Sequence, residues 1–278
     1  MNIIRVDIVF SYIYLSFLPS SQQESQRIPF GNMKISLITV VYNGETFLEE
    51  CFKSVIAQTY SDIEYIVIDG GSTDQTLSII QRNRSDIDYF VSEQDKGLYD
   101  AINKGIQKST GDIIGILNAD DMFADSNILA SVAETFITNP AIDGVYGDLD
   151  YIHPITNKIV RKWRSGQTTA EEIKKGWMPA HPTLYLKRTL FEKYGDYALD
   201  LGTAADYELI LRYFYTHKIK AVHLPVLMVN MRMGGVSNQS LKSRFYAFIN
   251  DYKALRRNNL SNALLVLLKK KLIKISQF

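Results

Sequence analysis

The sequence has a single cysteine, Cys51, among its 278 residues, so no disulfide can form within the chain. A disulfide-stabilised scaffold is excluded, and the composition fits a reducing compartment. Charge of one sign is not in excess either, because the formal net charge is +1. A nucleic-acid-binding protein relies on a strong positive field, so we expect no nucleic-acid partner.

Long apolar runs are also missing. The stretch from Ile8 to Leu18 is too short to span a bilayer as a helix. A signal peptide is the alternative for this region, but Asp7 interrupts the pattern and no clear cleavage site follows. The globular pattern begins at Met33. We expect residues 1–32 to be a disordered appendage or not to belong to the native product.

What the chain does contain is an alternation of strand and helix patterns after Met33. Apolar and β-branched runs predict strands, and apolar residues three and four apart predict helices between them. This rhythm predicts an α/β fold with a mostly parallel central sheet flanked by helices. Later runs at 145–152 and 158–163 predict a small antiparallel extension of the sheet, and two helices, 239–257 and 262–273, close the chain.

One stretch, Ile113 to Asp121, combines a buried-strand pattern with an abrupt polar end. Ligands of open α/β sheets bind just beyond the carboxyl ends of such strands. Two adjacent carboxylates, Asp120 and Asp121, supply the hard oxygen atoms that Mg²⁺ or Mn²⁺ prefers. The alternative is that these residues only cap the following helix, because Asp is a favoured N-cap.

Five short motifs in a fixed order resemble the family 2 glycosyltransferases, which have the GT-A fold. The resemblance covers roughly residues 34–237 and is closest to bacterial members that build surface polysaccharides. It implies a glycosyltransferase domain over residues 33–238 and a basic helical tail over 239–278. The motifs are Thr39-Val40-Val41-Tyr42-Asn43, Ile68-Asp69-Gly70-Gly71-Ser72-Thr73-Asp74, Asp95-Lys96-Gly97, Leu117-Asn118-Ala119-Asp120-Asp121 and Ala205-Asp206-Tyr207-Glu208.

The first three motifs are expected to bind the nucleotide sugar. Tyr42, with Asn43 beside it, can contact a nucleobase, and the Asp69 carboxylate can accept a hydrogen bond from a uracil N–H. Gly97 allows close approach of the donor to the backbone, with Lys96 nearby as a charge partner. The alternatives are that Tyr42 is only an aromatic residue at a strand end, that Asp69 only forms a turn, and that Lys96 is a solvated surface lysine.

The resemblance makes Asp120 the principal ligand of a Mg²⁺ or Mn²⁺ ion. Asn118 stands where the family usually has Asp; its amide can bind a ribose hydroxyl but supplies no charge, which puts the strength of metal binding in doubt. For Asp121 we expect a helix cap rather than a second metal ligand.

Asp206 matches the family's catalytic base, which implies transfer with inversion at the anomeric carbon. A helix cap is the alternative for Asp206, and Glu208 is the fallback base. His181 lies in a Pro-flanked loop that resembles one facing the acceptor, so we expect it to contact acceptor, phosphate or metal; a packed or surface histidine is the alternative.

The implied function is sugar transfer from a nucleotide-diphosphate sugar, UDP-linked, to a saccharide or lipid-linked saccharide in bacterial envelope biosynthesis. A nucleotidyltransferase is one alternative, but the turn after the first strand, Tyr42 to Glu45, is neither Gly-rich nor basic. A non-catalytic relative that binds sugar or a partner is the other, and Asn118 is its best argument.

The last part of the chain is basic: from Lys242 onward there are nine Lys or Arg and one acid, Asp251. Leucines at 264–268 lie between two clusters of these charges. A short basic, apolar helix can lie in the interface of an anionic membrane. We expect a cytoplasmic enzyme that contacts the inner face of the membrane through residues 253–274. The alternative is a helix that packs its leucines on the protein.

Overall fold

The computed structural model describes residues 33–234, 241–260 and 262–275, with side chains except at 241–244 and 271–275. The expectations for residues 1–32 and for the start of the first closing helix lie outside these residues.

Four parallel strands form one half of the sheet. Their order is β3-β2-β1-β4, and every residue of β1 is buried. A strand covered by helices on both faces must be apolar along its whole length, which explains the runs of Ile, Leu and Val. The elements are β1 (Ile35–Val41), α1 (Leu48–Ile56), β2 (Ile63–Asp69), α2 (Thr76–Arg82), β3 (Tyr89–Ser92), α3 (Leu98–Lys108) and β4 (Ile113–Ile116).

The other half of the sheet mixes strand directions. Its order continues β4-β8-β6-β9-β5, and β7 pairs with β6. The elements are β5 (Met122–Phe123), α4 (Ile128–Thr138), β6 (Gly144–Ile152), β7 (Ile159–Trp163), α5 (Ala170–Lys174), β8 (Tyr185–Lys187), α6 (Arg188–Tyr194), α7 (Ala205–Ile210, continued by a π-helical turn at Leu211–Thr216) and β9 (Ala221–Arg232). Strands β6 and β7 are antiparallel, which confirms the predicted extension.

One local prediction is corrected by this half of the sheet. Strand β8 begins at Tyr185, because His181–Thr183 forms a 3₁₀ turn around Pro182, which lacks an N–H for sheet pairing. The short strand β5 follows directly after Asp121 and pairs with β9. The expected helix cap at Asp121 is therefore wrong, since α4 begins only at Ile128.

The chain closes with a hairpin of two helices, α8 (Leu241–Arg257) and α9 (Ala263–Ile275). Their inner side chains, among them Leu255, Val266 and Leu267, join the same apolar core as Tyr207 and Leu209 of α7. The hairpin is therefore packed on the helix that carries Asp206. Within the described ranges, no helix is both long and apolar enough to cross a membrane.

Candidate active site

The loops that follow β1 and β2 are joined to each other by hydrogen bonds. The backbone N–H of Asn43 donates to Ser72 Oγ at 2.8 Å, and the Thr73 N–H donates to Asn43 Oδ1 at 2.9 Å. Asn43 has a φ of 49°, a left-handed conformation that asparagine tolerates better than most residues. Tyr42 remains 65% exposed beside these loops, where its ring is accessible to a ligand.

Asp69 is fully buried and organises the loop that follows it. Its carboxylate accepts hydrogen bonds from the N–H groups of Gly71 and Ser72 and from the hydroxyls of Ser72 and Ser92. The turn-forming role is thus present in the structure. Contact between Asp69 and a nucleobase stays a prediction, and it requires the 70–73 loop to move, because no part of the residue is exposed.

Gly97 lies at the start of α3 with a φ of 109°, and no atom lies within 4 Å of the position a Cβ would occupy. Its N–H donates to Asp95 Oδ1 at 2.7 Å. The other carboxylate oxygen, Asp95 Oδ2, lies close to Gly70. A Cβ added to Gly70 would be only 2.3 Å from this oxygen. The Asp95–Gly97 loop therefore packs against the β2 loop and leaves open space above Gly97. Lys96 is exposed.

The turn after β4 carries the two carboxylates. Asp121 is fully buried and accepts hydrogen bonds from the Arg232 N–H and from Asn118 Nδ2, both at 3.2 Å. Asp120 is partly exposed. Burial raises the pKa of Asp120, and burial together with the charge of Asp120 raises the pKa of Asp121 well above its usual range.

Arg232, at the end of β9, is the residue that holds this turn in place. It is only 2% exposed, its Nη1 donates to the Asp120 carbonyl at 2.8 Å, and its Nη2 is paired with Glu50. Its charge acts to lower the pKa of both carboxyls, against the effect of burial. The sequence carried one clue, since Arg232 is a lone charge at the end of an apolar run.

The turn offers two oxygen ligands for a divalent ion. Asn118 Oδ1 is buried and has no hydrogen-bond partner among the described residues, while Asn118 Nδ2 is turned towards Asp121. The described residues contain no group of three His, Cys, Asp or Glu side chains that could hold a metal by themselves. Mg²⁺ usually takes one or two protein carboxylates and completes its shell with phosphates and water, so Asp120 and Asn118 fit such an ion.

Asp206 lies in the first turn of α7 and is partly exposed. Its charge raises the pKa of Tyr99 and Tyr197, after the larger effect of burial, and opposes the lowering of the His181 pKa by burial. Tyr99 and Tyr197 are stacked with ring centroids 5.4 Å apart, and His181 Nε2 lies 3.0 Å from the Tyr197 hydroxyl. His181 is thus brought to the surroundings of Asp206, together with two tyrosines that the sequence did not single out.

Glu208 is buried, whereas Asp206 is partly exposed. It is 1% exposed, and both of its oxygens accept hydrogen bonds from Arg212, at 3.0–3.2 Å. Asn258 Nδ2 of the closing hairpin lies 3.4 Å from Glu208 Oε1. A buried, paired carboxylate is poorly placed to take a proton from an incoming substrate, so the structure does not favour Glu208 as the base.

Tyr151 of β6 has a pKa that responds to charges from two of the motifs. Burial raises the pKa of its phenol, the charge of Arg161 lowers it, and the charges of Asp121 and Asp206 raise it further. In the sheet, Tyr151 is paired with Met231, the residue before the Arg232 that donates to Asp121.

The chain is similar to known glycosyltransferases in sequence and in structure. The sequence family described as "Glycosyl transferase family 2" matches residues 36–200, more than half of the chain. An uncharacterised glycosyltransferase of Mycobacterium tuberculosis is 32% identical over 186 residues, which cover 64% of this chain and 68% of the relative. A PGL/p-HBAD biosynthesis glycosyltransferase of Mycobacterium bovis is 29% identical over 214 residues, which cover 76% and 81%.

Solved structures give the same architecture. The 1–349 portion of S. aureus TarS, in complex with UDP-GlcNAc, matches with a TM-score of 0.66 and 18% identity over 86% of this chain and 72% of that one. The mannosyltransferase PcManGT from Pyrobaculum calidifontis, in complex with GDP-Man and Mn²⁺, matches with a TM-score of 0.61 and 18% identity over 94% and 76%. At these identities the likeness concerns the fold, and the predicted GT-A fold is confirmed.

Proposed function

This chain belongs to glycosyl transferase family 2 and is a glycosyltransferase, and on that premise we propose that it transfers a sugar, with inversion, from a UDP-linked donor to a saccharide or lipid-linked saccharide. The alternatives of a nucleotidyltransferase and of a non-catalytic binder are set aside by the family membership. The observation that carries the proposal is the turn after β4, which combines the partly exposed Asp120 carboxylate with Asn118 Oδ1, a buried oxygen that has no hydrogen-bond partner among the described residues.

The donor is proposed to bind across the carboxyl ends of β1, β2 and β4. Tyr42 contacts the nucleobase, Asn43 and Asp69 shape the loop beneath it, and Gly97 leaves room for the diphosphate and sugar. The accessible Tyr42 ring and the open space above Gly97 support this placement. The solved complexes of TarS with UDP and of PcManGT with GDP-Man support a nucleoside diphosphate sugar as the donor class.

Asp206 is proposed to act as the general base. It removes the proton of the acceptor hydroxyl while that oxygen forms a bond to the anomeric carbon of the donor. The bond between the anomeric carbon and the diphosphate oxygen breaks at the same time, and the nucleoside diphosphate leaves with the electron pair. One carboxylate is sufficient for such a single displacement, which inverts the anomeric carbon.

Asp120 is proposed to ligate Mg²⁺ or Mn²⁺, with Asn118 Oδ1 as a second oxygen ligand or as the partner of a ribose hydroxyl. When bound, the ion supplies Lewis-acid stabilisation of the negative charge that develops on the leaving diphosphate. Arg232 keeps the turn in position, since it is bonded to the backbone of Asp120 and to the carboxylate of Asp121.

The acceptor is proposed to enter on the side of His181, Tyr197 and Asp206. We place the reaction in assembly of the bacterial cell envelope, at the cytoplasmic face of the membrane, with peripheral contact through residues 253–274. The PGL/p-HBAD biosynthesis glycosyltransferases among the relatives support a glycolipid or envelope pathway.

A panel of nucleotide sugars provides the test. Thermal unfolding is followed with each donor, in the presence of Mn²⁺ or of a chelator. A ligand at 100 times its Kd stabilises the native state by about 2.7 kcal/mol, so the correct donor is expected to raise Tm only when Mn²⁺ is present. Equal protection with the chelator would contradict the metal assignment, and no protection by any nucleoside diphosphate would contradict the donor class.

A further inference from the structure

The closing hairpin exposes an unusual number of large apolar side chains. Six of them are between 37% and 63% exposed: Phe245, Tyr246, Tyr252, Leu264, Leu265 and Leu268. Leu268 lies three residues after Leu265 and four after Leu264, so the three leucines lie on one face of α9. Apolar side chains grouped in this way, rather than scattered singly, indicate a surface that meets another apolar phase.

The exposed leucines do not hold the hairpin in place. Packing is supplied by the opposite side of α9, where Ala263, Val266 and Leu267 are buried. Lys270 of this inner side is 8% exposed, and its Nζ lies 2.9 Å from Asp251 of α8 and 3.4 Å from the centroid of the Tyr207 ring. The outer side is therefore available to a partner without any rearrangement of the core.

The basic residues of the hairpin whose side chains the structure describes divide into two groups. Lys270 is paired with Asp251, and Arg257 is paired with Asp200, so their charges are used within the protein. Lys253, Arg256 and Lys269 are exposed. Each is three to five residues from an exposed Tyr or Leu on the same helix, or directly adjacent to one. Within the described part of the hairpin, the only acid is the paired Asp251.

We propose that these nine side chains form a docking face for an anionic membrane surface. The docking face consists of Phe245, Tyr246, Tyr252, Leu264, Leu265 and Leu268, with Lys253, Arg256 and Lys269. Aromatic rings and leucines enter the boundary between headgroups and acyl chains, and the lysines and the arginine bind the negative headgroups. A second copy of the chain fits less well, because a two-fold interface would bring like positive charges together.

Docking through this face has a consequence for catalysis that rests on the proposed function. The inner side of the hairpin is bonded to α7: Lys270 lies over Tyr207, and Asn258 reaches Glu208. Asp206 belongs to the same helix. A hairpin fixed on the membrane therefore fixes the height and orientation of the proposed base relative to the lipid surface, which favours a lipid-linked acceptor.

The test uses the full chain and sedimentation with vesicles of phosphatidylcholine, alone or mixed with phosphatidylglycerol. Truncation of the hairpin is unsuitable because it would expose the core under Val266 and Leu267. The first variant replaces Leu264, Leu265 and Leu268 by Gln, which preserves helix propensity. The second replaces Lys253, Arg256 and Lys269 by Gln. The control replaces Ile155, Ile159 and Val160 of the β6–β7 region, which are also exposed, by Thr.

We expect the native chain and the control to bind vesicles that contain phosphatidylglycerol, and to bind less at high salt. The leucine variant is expected to lose binding by at least about tenfold, and the charge variant by about a hundredfold. If the leucine variant unfolds, the charge variant alone decides, since all three of its substituted side chains are exposed.

The proposal is overturned if the native chain does not bind, if both variants bind as it does, or if the leucine substitutions only convert a dimer into a monomer. Release of nucleoside diphosphate from the donor without vesicles is measured in parallel and is expected to be the same in all four proteins. If none of the four proteins releases nucleoside diphosphate while vesicle binding behaves as expected, the proposed function is wrong and the proposed docking face is supported.

Discussion

The backbone N–H of Arg232 donates to the Asp121 carboxylate, although the two residues are 111 positions apart in the chain. The guanidinium of the same arginine donates to the carbonyl of Asp120 and lies 4.5 Å from the centroid of the Phe47 ring. The end of β9 thus fixes the turn after β4. This relationship makes the geometry of the proposed metal site depend on a residue outside the motif that contains it.

Replacement of Arg232 by Met removes the bond to the Asp120 carbonyl and the positive charge beside two carboxyls. We expect the Kd for Mn²⁺-dependent donor binding to rise at least about tenfold and the free energy of unfolding to fall by about 2 kcal/mol. Calorimetric titration and denaturant unfolding measure these. Glu50→Gln is the matched control, since it removes the ion pair and keeps the bond to Asp120. Equal effects of the two variants would show that only the ion pair matters.

Asp120→Ala is expected to abolish metal-dependent donor binding and to leave the fold unchanged. The side chain is partly exposed, and burial already raises its pKa, so its loss costs the folded state little. Thermal unfolding with and without Mn²⁺ and UDP separates the two effects. Asp86→Ala, at an exposed aspartate of the α2–β3 connection, is the control. If Asp120→Ala binds both ligands like the native chain, another residue holds the metal.

Asp206→Asn is expected to retain donor binding and to lose sugar transfer, because an amide cannot accept the proton of the acceptor hydroxyl. Removal of a general base typically lowers the rate by a factor of about 10²–10⁴. Transfer is measured with a saccharide acceptor, and donor binding is measured by calorimetry on the same sample. Near-normal turnover in this variant would assign the proton transfer to another group.

Glu208→Gln provides a contrast on the same helix. The buried pair with Arg212 is broken, so we expect a loss of roughly 2–4 kcal/mol in the free energy of unfolding. The rate of transfer by the molecules that remain folded is expected to stay within a few-fold of the native value. A loss of activity as large as that of Asp206→Asn, in a protein that is still folded, would contradict this assignment.

Glu64 gives the molecule a pH-dependent stability at the opposite edge of the sheet from the proposed site. Burial acts to raise its pKa, but hydrogen bonds from Ser36, Thr110 and Lys34 outweigh burial and lower the pKa to about 2. A carboxyl with a depressed pKa stabilises the folded state above its ordinary pKa, and the stabilisation is lost as the pH falls through about 2.

Between about pH 5 and about pH 2, the native chain is therefore expected to lose up to about 3 kcal/mol more than Glu64→Gln. Urea unfolding at a series of pH values measures the difference. Parallel curves for the two proteins would show that Glu64 is not coupled to acid unfolding. Donor binding at pH 7 is expected to be equal in both, since Glu64 lies at the amino end of β2.

The sequence by itself determined the alternation of strands and helices and the order of the motifs. These follow from local properties of the sequence. Each pattern extends over about ten residues or fewer: the run of β-branched residues in β1, the apolar spacing in α1 and the polar turn after β4. Because parallel strands end at one edge of a sheet, this local information was also enough to predict that Tyr42, Asp69 and Asp120 lie on the same side.

Only the tertiary structure decided what the side chains do there. Asp121 accepts a hydrogen bond from Arg232 instead of capping a helix, and Tyr151 lies under the influence of carboxylates from two motifs. The leucines and lysines of α9 between residues 263 and 270 divide into a buried and an exposed set, and the buried set joins the core that includes α7. Each of these outcomes depends on contacts between residues far apart in the chain. The sequence pattern of one segment carries no information about which distant residue will contact it.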